Sequence, residues 1–294
     1  MEPKKDNVFE CSAVTRWLEI ELTSYCGMKC IVCPRWDLEK HTFLSREHFS
    51  EIITLARQGL YKEIMVCWLG DAFLHPQIEE FMEYLFAELP QIHLFFMTKW
   101  QAIKKSHLET IKSLNQRGYN VSLTFSVFSL REDIYNYLTW GNFYTSFMKI
   151  LKIAHQMKIN YSMEFMLSAM TLWEIEKFKV FAQKLNKDYG ISLVHNWWWR
   201  LPEKIHKKLF DDQKLKGYYI KRNPWDICEV MKYDYLYINS FGEVFQCSLN
   251  EIDRIGYLGI LGEFTLKEFL EKKMALNYNS ICSSCFYFTH KTFN

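Results

Sequence analysis

Short apolar runs alternate with longer amphipathic segments along most of the chain. The runs are rich in β-branched and aromatic residues and have the length of strands, whereas the segments between them repeat apolar residues with a helical period. Strands are predicted at residues 17–23, 62–68, 92–98, 120–127, 160–168 and 191–197. Repeated strand–helix alternation with short connections predicts a parallel sheet with right-handed crossovers.

Two of the helices can be predicted from their ends. Ser45 is suited to cap a helix that runs to Gly59, because a serine hydroxyl accepts a backbone hydrogen bond and glycine ends helices easily. Thr171 and Glu174 have the spacing of a capping box that would open the helix before Gly190.

The C-terminal part has a different pattern. Residues 233–238 and 243–246 alternate around Asn239-Ser-Phe-Gly242, which predicts a β-hairpin with glycine in its turn. Thr265 and Glu268 have capping-box spacing and predict a helix after the hairpin.

A charge-dense stretch separates the two patterns. Residues 203–222 contain seven Lys or Arg against three acids, which is typical of a solvated surface segment. We therefore expect a barrel-like domain at 1–200, a charged linker at 201–222 and a small domain at 223–294.

Composition narrows the class of protein. Hydrophobic residues make up 49% of the chain and aromatic residues 17%, which indicates a folded protein. A net charge of +2 gives no reason to expect a nucleic-acid partner. The chain has no 18-residue apolar run, and no apolar run follows its first lysines, so neither a membrane span nor a signal peptide is expected. We expect a cytoplasmic protein whose nine cysteines are thiols or metal ligands.

Three of those cysteines, Cys26, Cys30 and Cys33, follow the first predicted strand directly. Their uneven spacing wraps a short loop around one inorganic centre, and three protein ligands leave a fourth coordination position open. A structural zinc site is the alternative. It would need a fourth ligand such as His41 or His48.

The Cys26-x3-Cys30-x2-Cys33 spacing, with Glu21-Leu-Thr-Ser-Tyr before it and Pro-Arg after it, resembles the radical S-adenosylmethionine (SAM) enzymes. This resemblance implies an α/β fold, a partial (β/α)6 TIM-like barrel, with its site at the C-terminal ends of the strands. It also implies a 4Fe-4S cluster on the three thiolates, with SAM on the fourth iron. An electron from a donor such as flavodoxin or ferredoxin would split SAM to a 5'-deoxyadenosyl radical, which abstracts a hydrogen atom.

A second stretch matches the family in part. Trp68-Leu-Gly-Asp-Ala-Phe-Leu-His-Pro76 resembles the family's Gly-x-Gly-Glu-Pro-x-Leu-His-Pro, with Trp68 and Ala72 as departures. The resemblance implies that Gly70 and Asp71 bind the methionine ammonium of SAM. A simple Gly-Asp turn is the alternative.

The family's remaining SAM contacts map less closely. Thr98 and Lys99 stand where Thr-Asn is common, and Lys99 could meet a carboxylate of SAM or substrate. Ser126, followed by Ser129, is the candidate for the ribose, although a strand hydroxyl often bonds only to nearby backbone. In the family, the residue before the third cysteine is usually aromatic and packs on the adenine of SAM. Val32 replaces the usual aromatic residue, and Trp36 is the expected substitute.

The C-terminal cysteines form a second set: Cys228, Cys247, Cys282 and Cys285, with Gly242 four residues before Cys247. This pattern resembles the Twitch extension, a truncated SPASM domain, and implies a small β-hairpin and helix domain with an auxiliary 4Fe-4S cluster held by four thiolates. A full SPASM domain would need three more cysteines. A structural zinc on the same thiolates is the alternative.

Cys11 and Cys67 belong to neither set. An unassigned cysteine is most often a small buried hydrophobic residue. Cys67 lies near the end of the second predicted strand, so it is a weak candidate for a catalytic hydrogen-atom donor of an epimerase.

These features predict a radical SAM oxidoreductase that abstracts hydrogen from a small, carbohydrate-like molecule and completes a net oxidation with the auxiliary cluster. About sixteen residues precede the first strand, which leaves no room for a winged-helix module that binds a leader peptide. A peptide-modifying enzyme, an epimerase and a zinc-binding scaffold without radical chemistry stay open as alternatives.

Overall fold

The computed structural model describes residues 17–194, 202–211, 215, 235–248, 251, 254 and 256–276. The strands are β1 Trp17–Ile20, β2 Glu63–Val66, β3 His93–Thr98, β4 Asn120–Val127, β5 Tyr161–Leu167, β6 Tyr189–Leu193, β7 Leu236–Ile238, β8 Glu243–Phe245 and β9 Tyr257–Ile260. The helices are α1 Arg46–Gln58, α2 Ile78–Glu88, α3 Lys105–Gln116, α4 Glu132–Leu138, α5 Tyr144–Gln156, α6 Ile175–Lys184, α7 Glu203–Phe210 and α8 Leu266–Ala275.

The first six strands are parallel and lie in sequence order. The described strands form one open sheet with the order β6-β5-β4-β3-β2-β1-β7-β8-β9. Strands β1 to β6 alternate with helices, as expected for a partial TIM-like barrel, so the predicted fold class is confirmed. No helix among the described residues is long and apolar enough to cross a membrane.

The two faces of the parallel sheet differ in chemistry. One face buries aliphatic side chains such as Leu18, Ile64 and Leu123 in the same core cluster as the apolar sides of the helices. The opposite, inner face includes Thr124 and Ser162, which are only partly buried. Because neighbouring strand residues point to opposite faces, the inner face is free to carry polar groups.

Two predicted helix ends are confirmed. The Ser45 hydroxyl accepts a hydrogen bond from the backbone N–H of His48 at 3.1 Å, and Gly59 follows the last residue of α1. At the start of α8, Thr265 and Glu268 form the reciprocal capping box, with N···O distances of 2.7 and 3.3 Å.

The capping box predicted at Thr171 and Glu174 is wrong. Residues Leu172–Glu174 form a 3-10 turn, and α6 begins only at Ile175. The Glu174 carboxylate instead accepts hydrogen bonds from the Ser129 hydroxyl at 2.7 Å and from the backbone N–H of Leu130 at 2.6 Å. Glu174 thus bonds to residues that are distant in the sequence and does not form the helix cap that the local pattern predicted.

The predicted C-terminal hairpin is confirmed. Strands β7 and β8 pair antiparallel around a turn closed by Gly242 N–H to Asn239 O at 3.0 Å. Gly242 has φ +79, a conformation that favours glycine. Strand β7 also pairs in parallel with β1, with Leu236 beside Leu18. The hairpin therefore extends the sheet at the strand that leads to the first cysteine set.

Candidate functional site

The first cysteine set lies in the loop that leaves the end of β1. Cys30 is buried, and Cys26 and Cys33 are partly exposed. The N–H of Cys33 donates to the carbonyl of Cys30 at 3.1 Å, and the N–H of Ile31 donates to the carbonyl of Leu138 at 3.0 Å. These bonds hold the loop against the end of α4.

The three thiols lie close enough to influence one another. Burial raises the pKa of Cys30, and the neighbouring Cys33 and Cys26 raise it further. Burial and the nearby Asp71 carboxylate raise the pKa of Cys26 to about 11. The structure thus brings the three predicted ligands together, with Cys26 beside Asp71.

Lys99 places a cation beside these thiols. Burial lowers the pKa of Lys99, but Cys26, Cys33 and Cys30 together raise it above its usual value. Its ammonium donates to the carbonyl of Trp68 at 3.3 Å. Among the described side chains, no three Cys, His, Asp or Glu residues converge on a single ion. An iron–sulfur cluster takes one thiolate on each of its irons.

Gly70 lets the loop after β2 lie directly on the loop after β1. A Cβ at Gly70 would lie 1.5 Å from the carbonyl oxygen of Thr23. The next N–H, of Asp71, donates to the carbonyl of Tyr25 at 2.8 Å. The stretch predicted to bind the SAM ammonium therefore lies against the cysteine loop.

The Asp71 carboxylate is buried and only partly satisfied. Its side chain is 2% exposed, and its Oδ1 accepts from the N–H of Phe73 at 3.2 Å. Its Oδ2 is buried and has no hydrogen-bond partner among the described residues. Burial raises the pKa of Asp71, while the backbone N–H groups of Phe73 and Ala102, the Lys99 ammonium and the Thr98 side chain reduce the rise. A buried, unpaired carboxylate oxygen is costly unless a donor binds it.

Two tryptophans occupy left-handed backbone positions near the site. Trp68 has φ +99 and Trp100 has φ +64. Trp68 stands where the resembled pattern has glycine. A bulky residue in this region is strained by roughly 1–2 kcal/mol, and tertiary contacts hold it there. The indole N–H of Trp100 donates to the Tyr135 hydroxyl at 2.7 Å, and Trp68 packs edge-on against Tyr237. Trp68 thus adopts a positive φ, which glycine adopts most easily, although it is not a glycine.

Of the other predicted SAM contacts, Thr98 lies at the site. Its hydroxyl accepts from the N–H of Trp100 at 2.7 Å and contacts the Asp71 carboxylate. Ser126 is buried and lies beside Glu164 in the register of β4 and β5. Ser129 bonds to Glu174 instead. The side chain of Trp36 lies outside the described part of the structure.

Sequence reasoning missed the carboxylate of Glu164 on the inner face. Ser192 donates to it, and a Cβ at Gly190 would lie 2.0 Å from its Oε2. The missing side chain of Gly190 therefore leaves the space that the carboxylate fills. The sequence signal is a single acid within an apolar strand.

Cys67 belongs to a second buried group, on the inner side of β1 and β2. Its thiol donates to Glu19 Oε1 at 2.9 Å. The hydroxyls of Tyr235 and Ser248 donate to the other oxygen of Glu19, Ser248 at 3.2 Å. Burial raises the pKa of Glu19, and these three hydrogen bonds oppose the rise. The thiol is thus oriented by a carboxylate that sequence reasoning did not single out.

Cys247 of the second set follows β8, next to this group. It packs against the aromatic cluster of Tyr235, Tyr237 and Phe245. Its neighbour Ser248 bonds to Glu19, as described above. The remaining predicted ligands, Cys228, Cys282 and Cys285, lie outside the described residues.

Comparison with known proteins identifies the family of this arrangement. The family model described as the radical SAM superfamily matches residues 20–182. No curated protein matches the sequence.

Several solved structures share the fold. Streptococcus suis SuiB, crystallised with precursor peptide SuiA, is 15% identical with a TM-score of 0.67 over 92% of this chain and 70% of that chain. Native anSMEcpe, crystallised with AdoMet and Cp18Cys peptide, is 13% identical with a TM-score of 0.67 over 89% and 82%. BtrN in complex with AdoMet and 2-DOIA is 12% identical with a TM-score of 0.50 over 89% and 85%. At these identities the likeness concerns the fold alone.

Proposed function

The chain belongs to the radical SAM superfamily, and from this premise we propose that its cysteine loop holds a 4Fe-4S cluster and that it cleaves SAM reductively. Bound there, the cluster and SAM would supply a 5'-deoxyadenosyl radical that abstracts a hydrogen atom from substrate. The observation that carries the proposal is the Asp71 carboxylate beside Cys26, one oxygen of which has no hydrogen-bond partner among the described residues.

The residues around the loop fit this group. Cys26, Cys30 and Cys33 supply three thiolates and leave one iron for SAM. Asp71 offers its unpaired oxygen to an ammonium, because a carboxylate accepts strong hydrogen bonds from a cation. Lys99 offers N–H donors to a carboxylate, since its ammonium has three N–H donors and donates one of them to the carbonyl of Trp68.

Iron analysis and a cleavage assay test this assignment. Anaerobically reconstituted protein should hold about eight irons, as two 4Fe-4S clusters require. With dithionite it should convert SAM to 5'-deoxyadenosine. Replacing Cys26, Cys30 and Cys33 together by Ala should halve the iron and abolish cleavage.

Replacement of Cys11 by Ala is the matched control and should keep both iron and cleavage. Stoichiometric zinc in the isolated protein, with no iron–sulfur absorbance after reconstitution, would favour the zinc-binding scaffold and contradict the proposal.

For the substrate we propose a small, polar, carbohydrate-like molecule. The support is the inner face of the sheet, where the hydroxyls of Thr124 and Ser162, 3.0 Å apart and hydrogen-bonded to each other, are followed by the carboxylate of Glu164 on β5. Such a lining suits a ligand rich in hydrogen-bond groups. The structural neighbours SuiB and anSMEcpe were crystallised with peptides, which supports a peptide as the second candidate.

Stimulated SAM cleavage separates these candidates. A substrate accelerates the formation of 5'-deoxyadenosine over the substrate-free rate, so a panel of amino sugars and cyclitols can be compared with a panel of short peptides. We expect acceleration by the first panel. Acceleration by peptides alone would establish the second candidate.

We also propose that Cys228, Cys247, Cys282 and Cys285 hold an auxiliary cluster, which would supply an electron acceptor for a net two-electron oxidation. The substrate would lose a hydrogen atom, one electron and one proton, and one SAM would be consumed per product. A cytoplasmic electron donor such as flavodoxin or ferredoxin would supply the electron for SAM cleavage. The alternative is epimerisation, for which the Cys67 thiol on the inner face is the hydrogen-atom donor.

A further inference from the structure

Gln101 lies in the turn after β3, and its side chain lies over Gly27 in the cysteine loop. The turn is fixed by two hydrogen bonds of Trp100, from its backbone N–H to Thr98 and from its indole N–H to Tyr135, both 2.7 Å long. A Cβ at Gly27 would lie 2.6 Å from both Oε1 and Nε2 of Gln101. The amide therefore occupies the space that a side chain at position 27 would need, next to the first cysteine.

The amide oxygen of Gln101 has no partner. It is buried and accepts no hydrogen bond from the described residues. Lys99, on the same turn, directs its ammonium to the carbonyl of Trp68 instead. Because buried acceptors in folded proteins are nearly always satisfied, this oxygen points to a donor that the described residues do not provide.

A second unpaired oxygen lies at the same turn. Oδ2 of Asp71 is buried and has no hydrogen-bond partner within the described part of the chain, and the Asp71 carboxylate contacts the backbone N–H of Ala102, the residue after Gln101. Cys26 lies beside Asp71 and directly precedes Gly27. Two unpaired acceptors thus border the first cysteine, one from the loop after β2 and one from the loop after β3. A single amino group with two or more N–H donors could satisfy both.

We propose that the amide oxygen of Gln101 accepts a hydrogen bond from the methionine amino group of SAM, alongside Asp71. This inference rests on the proposed function, because it assumes that SAM binds at the cysteine loop. It adds a residue that no motif in the sequence singles out. Gln101 is a binding residue for the amino-acid part of the ligand and should not affect recognition of the nucleoside.

A matched pair of ligands tests the inference without turnover. S-adenosylhomocysteine carries the ammonium, whereas 5'-methylthioadenosine has the same nucleoside and sulfur without it. Equilibrium dialysis against the cluster-loaded protein gives both dissociation constants. Gln101→Leu should weaken S-adenosylhomocysteine about tenfold or more, as expected for a hydrogen bond to a charged donor, and leave 5'-methylthioadenosine unchanged.

Two further variants separate the hydrogen bond from packing. Gln101→Glu keeps an acceptor at the same place and should restore most of the affinity for S-adenosylhomocysteine. Gly27→Ala adds a Cβ where the amide now lies, so it should displace the amide and weaken the same ligand with Gln101 intact. Gln116→Leu, at the exposed end of α3, is the control and should bind both ligands normally.

Three outcomes would overturn the inference. If Gln101→Leu binds S-adenosylhomocysteine like the wild type, a water molecule satisfies the oxygen. Equal losses for both ligands would indicate a structural role. If Gln101→Glu binds more weakly than Gln101→Leu, the amide donates rather than accepts.

Iron content and dithionite-driven SAM cleavage of the wild type are measured in parallel. Their absence would contradict the proposed function, whereas a normal wild type with a normal Gln101→Leu variant contradicts only the role of Gln101.

Discussion

At the scale of single residues, Asp71 is a buried carboxylate with one oxygen that no described residue satisfies. Its shorter side chain replaces the glutamate of the resembled pattern, and the backbone compensates. Gly70 lies against Thr23, and the N–H of Asp71 bonds to Tyr25, so the carboxylate is carried close to the cysteine loop. One oxygen caps the following 3-10 turn through Phe73, and the other has no hydrogen-bond partner among the described residues.

We expect Asp71→Ala to weaken SAM binding while the iron content stays at the wild-type value. The loss should be about 1.5–3 kcal/mol, the value of a hydrogen bond to a charged group. Equilibrium dialysis with SAM and iron analysis measure the two effects. Asp188→Ala, at an exposed position, is the control. Unchanged SAM affinity in Asp71→Ala would mean that this carboxylate does not contact the ligand.

At the scale of elements, the site depends on two loops packed without intervening side chains. The loops after β1 and β2 meet where Gly70 approaches the Thr23 carbonyl, and both atoms of this contact belong to the backbone. A side chain added at position 70 would therefore clash with backbone. No side-chain rotation could relieve that clash, so the two loops would have to move apart. Strand pairing alone would not produce this contact, because β1 ends at Ile20 and β2 at Val66.

Gly70→Ala should therefore destabilise the fold and disturb the first cysteine set. Overpacking of this kind costs roughly 1–3 kcal/mol, which thermal unfolding measures, and the displaced loop should lower SAM affinity. Gly118→Ala is the control, since Gly118 has a left-handed backbone at φ +90 but no atom within 4 Å of an added Cβ. Equal effects of the two variants on SAM affinity would show that the close approach is not needed for the site.

At the scale of the whole molecule, buried acids connect the parallel sheet to the C-terminal hairpin. Glu19 on β1 binds Tyr235 and Ser248, the latter 229 positions away. Glu21 accepts from Ser240 at 2.7 Å. Burial raises the pKa of Glu251 to about 7. This network fixes Cys247 relative to β1, the strand that leads to the first cysteine set.

If the second cysteine set serves oxidation, replacing Cys282 and Cys285 by Ala should leave substrate-free SAM cleavage intact and stop product formation. The physical reason is that the substrate radical would then lack its electron acceptor. Mass spectrometry of the product and quantification of 5'-deoxyadenosine measure both steps. Cys67→Ala is the companion variant and should retain product formation.

The opposite pattern would support epimerisation. A product isomeric with its substrate and bearing solvent hydrogen, lost in Cys67→Ala, would contradict the oxidation and assign the hydrogen-atom donor to Cys67.

The sequence by itself determined the order of strands and helices, the hairpin around Gly242 and the place of the first cysteine set. These features depend on residues close together in the chain: strand alternation, caps and turns are local, and the loop after a parallel strand lies at the C-terminal edge of the sheet. Only the tertiary structure decided which distant groups meet. In the structure Glu174 bonds to Ser129 and not to Thr171. The side chain of Gln101 lies over Gly27, and the thiol of Cys67 bonds to Glu19. Each of these contacts joins loops or strands far apart in sequence, so no local pattern specifies it.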